Sequence, residues 1–248
     1  MAVSTDHIRN IAVAGHGTTG KTSFVEHLLF TGGVIQKPEE VESGRTVSDY
    51  TEEEVENKIS IHTTLSHLTW NERKINLLDT PGAGDFAGEV VAAFRAAETG
   101  ALLLDAKAGV EIETIKQWRR LNDRNMPRVV FVNKMDEEQA DFQAALNDLS
   151  EKFSVTFVPV AFPIGSGAEF RGVVNLMDMK AYMVPDAGGT ERAGEIPEDI
   201  GEQVNEAREQ LVESAAEGDD ELLTKFLEEE TLTEEEIRRG ITEGLQNN

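Results

Sequence analysis

The 248-residue chain contains no cysteine. It therefore has no disulfide framework, and its redox compartment cannot be read from thiols. No run approaches the roughly 18 apolar residues of a membrane span, and the N-terminus lacks the apolar centre of a signal peptide. No membrane partner is expected, and cytoplasm is the expected compartment. Positive charge is scarce, with 23 Lys plus Arg against 47 Asp plus Glu and a formal net charge of −24. Such a surface repels nucleic acid at ordinary ionic strength, so no DNA partner is expected. The acidity has two readings. One is life in high salt, where the Debye length falls to about 3 Å. The other is an acidic appendage on an ordinary domain. Acids are spread along the chain but densest after Pro185; the scarcity of Lys favours the saline reading. Internal repeats and low-complexity tracts are missing too. What remains is enough apolar chain for one large domain, or for a domain with an added subdomain.

Against this background one stretch stands out, Gly15-His16-Gly17-Thr18-Thr19-Gly20-Lys21-Thr22, which fits G-x-x-x-x-G-K-[ST]. The apolar run Ile8 to Ala14 before it reads as a buried strand. Ser23 to Phe30 after it reads as a helix with Phe24, Leu28 and Leu29 on one face. Strand, glycine loop and helix together form a phosphate-binding loop. Its backbone N–H groups turn around an anion, and the helix N-terminus adds partial positive charge. His16, Gly17, Thr18, Thr19, Gly20, Lys21 and Thr22 would surround the phosphates. Lys21 would reach the β- and γ-phosphates, and the Thr22 hydroxyl would ligate Mg²⁺.

Residues 31–57 read as a long polar irregular stretch, of the kind that carries function rather than filler. Ile59 to Trp70 alternates and is rich in β-branched residues, predicting a strand that pairs with Lys74 to Leu78 across the turn Asn71-Glu72-Arg73. Further helices are predicted over Phe86 to Ala97, Val110 to Leu121 and Glu137 to Phe153. Buried strands are predicted over Ala101 to Leu104 and Arg128 to Val132. This alternation predicts an α/β fold: a mostly parallel sheet with helices on both faces and ligand loops at the carboxyl ends of the strands. After Ser154 the texture changes. Short strands over Val155–Phe162, Gly172–Leu176 and Lys180–Val184 precede a connector, Pro185 to Pro197, and three acidic helices. Thr233 and Glu236 form a predicted capping box on the last of these. The expected division is a core over 1–154 and a small α+β subdomain over 155–248.

Two more motifs fall in order at predicted strand ends. The Asp79 carboxylate of Asp79-Thr80-Pro81-Gly82 can hold Mg²⁺ through water, and the Gly82 N–H can meet a γ-phosphate because no side chain blocks it. In Asn133-Lys134-Met135-Asp136, the carboxylate of Asp136 matches the N1–H and exocyclic amine of guanine, and adenine lacks that donor pair. The Lys134 stem can cover the base. The three motifs together point to a GTPase of the phosphate-loop class.

These motifs, with Ala83-Gly84-Asp85-Phe86 after Gly82, resemble the G domain of translational GTPases. Pro163-Ile164-Gly165, Phe170-Arg171-Gly172-Val173-Val174-Asn175-Leu176 and Met179-Lys180-Ala181-Tyr182 are similar to elongation factor G, where they open the G′ insert. The resemblance implies GTP and GDP as ligands, Mg²⁺ as cofactor, hydrolysis coupled to movement on the ribosome, and action as a monomer. It also implies a G domain whose final strand, helix and last guanine-binding loop are absent from this chain, as in a truncated protein. Glu56-Asn57-Lys58-Ile59-Ser60-Ile61 aligns with switch I, so Ser60 takes the place of a threonine that binds Mg²⁺ and senses γ-phosphate. The residues expected at the reacting centre are thus Lys21, Thr22, Ser60 and Gly82, with Thr22, Ser60 and Asp79 around the metal. Two positions depart from the family. Thr18 replaces an aspartate of the phosphate loop. Ala83 replaces the histidine that positions the attacking water, and a methyl group cannot orient water. The alternative expectation is a nucleotide-gated ribosome-binding module with little or no hydrolysis.

Overall fold

The computed structural model describes residues 3–184, 192–229 and 231–247. Two units are distinguished, residues 1–134 and 135–248.

In the first unit, β1 (Ile8–Gly15) lies at the centre of a five-stranded sheet. It is flanked in parallel by β3 (Arg73–Asp79) and β4 (Thr99–Asp105). β5 (Arg128–Asn133) runs parallel beside β4, and β2 (Thr64–Trp70) closes the other edge antiparallel to β3. The order β2-β3-β1-β4-β5 is the mostly parallel sheet expected from the alternation of strands and helices. β4 is buried from its second residue onward, as its run of Ala-Leu-Leu-Leu demands of a strand covered on both faces. The pleat sends successive residues to opposite faces. Val13, Leu77, Ala101 and Leu103 meet Val25 and Leu29 of α1 (Lys21–Thr31). Ala12, Leu78, Leu102 and Leu104 are buried on the other face, the side of α3 (Ala87–Ala96) and α4 (Ile112–Asn122). Burial of each such Leu contributes about 1.5–3 kcal/mol. The carboxyl ends of four parallel strands therefore carry Gly15, Asp79, Asp105 and Asn133 at one edge of the sheet.

Several expected boundaries move, each for a local reason. The strand expected from Ile59 begins only at Thr64. The N–H groups of Ile61 and His62 donate to the Glu54 carboxylate, and that of Thr63 to Glu89, so none is left for a ladder. The irregular stretch 31–57 contains a helix, α2 (Glu52–Asn57). It is fixed by a capping box in which Thr51 and Glu54 satisfy each other's backbone N–H. On α3, Val90, Ala93 and Phe94 form the buried stripe, and Val91 faces outward.

In the second unit, α5 (Phe142–Phe153) starts five residues later than its helix-forming sequence suggests. Gln139 has a left-handed backbone, and the Asp141 side chain caps the helix by accepting from the Ala144 N–H at 2.9 Å. Of the strand expected over 155–162, only its last two residues belong to β6 (Ala161–Ile164). β7 (Gly172–Asn175), β8 (Lys180–Met183) and β9 (Arg192–Gly194) complete an antiparallel sheet in that order. Residues 185–191 of the expected connector lie outside the described residues. α6 (Gly201–Glu217), α7 (Asp220–Glu229) and α8 (Glu234–Asn247) are the three acidic helices. Ile164, Val174 and Ala181 of the sheet, with Leu176 just after β7, pack with Val204, Leu211 and Ala215 of α6 and Ile237 of α8 into one core. Thr233 and Glu236 make the expected capping box. Among the described residues, no helix is long and apolar enough to cross a membrane.

Candidate functional site

The phosphate loop runs from the end of β1 into α1. Thr18 and Gly20 both take left-handed backbone conformations, with φ of +64° and +88°. A Cβ on Gly20 would stand 2.4 Å from Asn133 Nδ2, so the loop turns tightly there because glycine leaves room. The same Asn133 amide donates to the Thr19 carbonyl at 2.9 Å, tying the end of β5 to the loop. Thr19 Oγ1 and Lys21 Nζ both donate to the His16 carbonyl, at 3.1 and 2.6 Å. His16 Nε2 lies 3.4 Å from Glu111 Oε1, while its Nδ1 is buried without a hydrogen-bond partner. Burial pushes the Lys21 ammonium down to a pKa of about 8, against the opposing pull of Asp79, Asp49 and Glu111.

The loop that follows β3 comes down on this structure. A Cβ on Gly82 would lie 2.5 Å from Lys21 Nζ and 2.7 Å from the Gly17 backbone, so Gly82 sits directly against the phosphate loop. Asp79 is buried, and neither carboxylate oxygen makes a well-formed hydrogen bond, although the Ser48 and Thr22 hydroxyls lie close by. Burial raises its pKa to about 6; Ser48, Lys21 and Thr22 act against the rise and Asp49 adds to it. The Thr22 and Ser60 hydroxyls are 3.2 Å apart. Sequence positions 38 residues apart are thus brought together as the expected metal ligands. Asp49 Oδ1 and Ser48 Oγ are buried nearby without partners, and burial holds the Asp49 carboxyl above the usual carboxylate range.

Hydroxyl and carboxylate oxygens of this kind suit a hard divalent cation, and the orphaned oxygens of Asp79 and Asp49 are the groups such an ion would satisfy. Among the described residues, no group of three or more His, Cys, Asp and Glu is arranged to hold a metal on its own. The donor set fits Mg²⁺, which binds through one or two protein oxygens, water and a ligand's phosphates.

Sequence reasoning missed Asp49, Ser48, Glu26 and Glu54. The Glu26 carboxylate, on α1, accepts from the N–H groups of Glu39 and Val47. Glu54 accepts from Ile61 and His62. Burial opposes its charge, yet these donors and Thr51 hold its pKa below the ordinary glutamate range. These two acids therefore fasten residues 39–62 beside the loop and bring Ser60 to Thr22. The Thr51-x-x-Glu54 spacing was a usable signal for Glu54; nothing local marks Asp49.

Ala83, half-exposed, offers no polar side-chain atom beside Gly82. His62 and His67 are exposed; His62 lines a cavity of about 250 Å³ with Ile61, Asp85, Phe86, Gly88 and Glu89, and His67 lies on the edge strand β2. Trp118 is buried under the Arg128 guanidinium, 4.3 Å from its ring centre, as a core residue. Lys134 pairs with Asp105 at 3.1 Å. Asp136 belongs to the second unit, where it is exposed just beyond the buried Met135.

The sequence profile of the elongation factor Tu GTP binding domain matches residues 6–186. The chain is 39% identical over 238 residues to elongation factor G of Thermotoga petrophila, covering 96% of this chain and 34% of that protein. It is 38% identical over 247 residues to elongation factor G of Thermotoga maritima, covering 99% and 36%. A crystal structure of a protein from Thermus thermophilus superposes with a TM-score of 0.89 at 33% identity, covering 97% of this chain and 36% of that one. The chain spans about a third of the length of the curated relatives it matches.

Proposed function

Because the chain belongs to the translational GTPase family, as an elongation factor G-like G domain, we propose that it binds GTP and GDP with Mg²⁺ and hydrolyses the γ-phosphate of GTP, acting on the ribosome in the cytoplasm as a monomer. The observation that carries this reading is the convergence of Lys21, Thr22, Ser60, Asp79 and Gly82 at one edge of the sheet, with Asn133 bonded to the phosphate loop. Loop N–H groups and Lys21 hold the phosphates and stabilise charge as the γ-phosphoryl departs, and the Gly82 N–H senses that group. Thr22 and Ser60 would hold Mg²⁺ directly and Asp79 through water; the ion neutralises phosphate charge when bound. Asn133, Lys134 and Asp136 select guanine. Residues 1–154 form the G-domain core in this reading and 155–248 a G′-like insert.

Lys21 supplies a test by pH. Its bound form meets phosphate as an ammonium, while the free protein releases that proton near pH 8. GDP affinity is expected to fall by up to about tenfold per pH unit above 8. Lys21→Arg, which stays charged, removes that dependence. Titration calorimetry in buffers of different ionisation enthalpy reads the proton taken up; an affinity flat from about pH 7.5 to 9 in the unsubstituted chain rejects the assignment.

Ala83 supports a second reading, a nucleotide-gated ribosome-binding module that hydrolyses slowly. GTP turnover with and without ribosomes, in the protein that carries this domain, separates the two. The second reading expects weak stimulation in the unsubstituted protein and a rise of about 10²-fold or more in Ala83→His, the scale of a positioned general base. Strong stimulation with Ala83 in place favours the first.

A further inference from the structure

The turn after β4 is built on Asp105. Its main-chain carbonyl accepts from the Gly109 N–H at 2.9 Å, and one carboxylate oxygen, Oδ1, accepts from the N–H groups of Lys107 and Ala108 at 2.9 and 3.1 Å. The other oxygen, Oδ2, lies 3.1 Å from Lys134 Nζ. Parallel pairing sets Asp105 opposite Asn133 across β4 and β5, and the Ala106 N–H donates to the Asn133 carbonyl at 3.0 Å. Lys134 itself has a left-handed backbone, φ +61°, which turns it out of the strand. Burial opposes the Asp105 charge, but the two N–H groups and Lys134 keep its carboxyl below the ordinary aspartate range. One carboxylate thus does two separable things. Oδ1 closes the turn, and Oδ2 presents a fixed negative charge to the ammonium of the base-motif lysine.

We propose that Asp105 is a positioning residue for guanine recognition, acting through Lys134: its carboxylate anchors the ammonium and so holds the lysine stem where it covers the base. This rests on the reading of Asn133, Lys134 and Asp136 as the guanine site. A lysine stem loses rotamer entropy when it is ordered. An anchor that is already in place before the nucleotide arrives removes part of that cost from the binding step. Asp105 needs no contact with the nucleotide to act in this way.

Asp105→Asn isolates the effect, because the amide oxygen still accepts from Lys107 and Ala108 while the charge facing Lys134 is lost. GDP binding by the complete chain is measured for the unsubstituted protein, Asp105→Asn, Lys134→Met and the double variant, each with its thermal midpoint. Asp105→Asn is expected to weaken GDP about tenfold in the unsubstituted background and less than about twofold in the Lys134→Met background, with its midpoint within about 2 °C of its parent. A purely structural role predicts multiplicative losses in the two backgrounds. That outcome, or unchanged GDP affinity in Asp105→Asn alone, overturns the proposal while leaving the guanine site standing. Failure of the unsubstituted chain to prefer GDP over ADP is a different result: it removes the guanine-site reading itself, and this inference with it.

Discussion

If Asp136 selects guanine as proposed, Asp136→Asn is expected to make the chain prefer xanthine nucleotides, with GTP affinity down by about 10⁴-fold. In the proposed site the carboxylate would accept two hydrogen bonds, from the guanine N1–H and exocyclic amine. An asparagine presents one acceptor and one donor, so its amide hydrogens face the guanine amine with no acceptor between them. Xanthine carries an oxygen where guanine carries that amine, which restores the match. Sites that hydrogen-bond a substrate group reject analogues without it by about 10⁴–10⁵-fold, because buried polar atoms are left unpaired. The side chain is exposed, so the same substitution should change stability by no more than about 0.5 kcal/mol. Displacement of a fluorescent GDP analogue by GTP and by XTP reads the exchange of preference. An Asn variant that still prefers GTP removes Asp136 from the base site.

Asp79→Asn should make the nucleotide-free chain more stable and its Mg²⁺-dependent nucleotide binding much weaker. Burial lifts the Asp79 pKa from 3.8 to about 6, with neither oxygen in a well-formed hydrogen bond. Between those two values the native state holds more of this proton than the unfolded chain does, so stability falls as pH rises through the window. Above pH 6 the full cost is present, on the order of 3 kcal/mol. Asparagine carries no charge to desolvate, and the orphaned Asp49 Oδ1 and Ser48 Oγ are acceptors in the same buried surroundings. The apo midpoint at about pH 8 is expected to rise by roughly 5–10 °C. That gain should shrink as pH falls from 6 towards 3.8. Mg²⁺ with GDP should raise the midpoint of the unsubstituted chain and leave that of the variant almost unmoved. An Asn variant less stable than its parent at that alkaline pH would show that the carboxylate is stabilised in place, contrary to the burial argument.

The contrast between Asp79 and its neighbour Asp49 marks what a sequence discloses. Asp79, Lys21 and Gly82, which the fold brings together, are legible because their chemistry lies in short spacings that also dictate the local backbone. The parallel sheet was legible for the same reason, since Ala101 to Leu104 and Ile8 to Ala14 carry the continuous apolar runs of strands buried on both faces. Asp49 was not legible. It sits in a polar stretch, and only the folding of that stretch over the loop buries it beside Asp79. Ile59 to Thr63 misled for a related reason. Its alternation fits a strand, but its amides are taken by Glu54 and Glu89 from other elements. Glu137 to Ala140 reads as helix by propensity, while Asp141 three residues before the Ala144 N–H was the competing start signal. Two capping boxes of the same spacing were present, at Thr51 and Thr233. The one at Thr51 carries the weaker signal, because no apolar run follows it.

Glu26 and Glu54 fasten residues 39–62 through side chains, where most of a protein's irregular backbone is held by its own main chain. That arrangement sets how this stretch can change over evolutionary time. Glu39, Val47, Ile61 and His62, whose amides donate to these carboxylates, need only keep an N–H, which every residue but proline supplies, so their side chains are free to drift in composition and charge. The two acids are not free in that way. Each serves two or more distant amides at once, and a change at either releases a whole segment. Divergence within this domain should therefore accumulate at those four positions and spare the two acids.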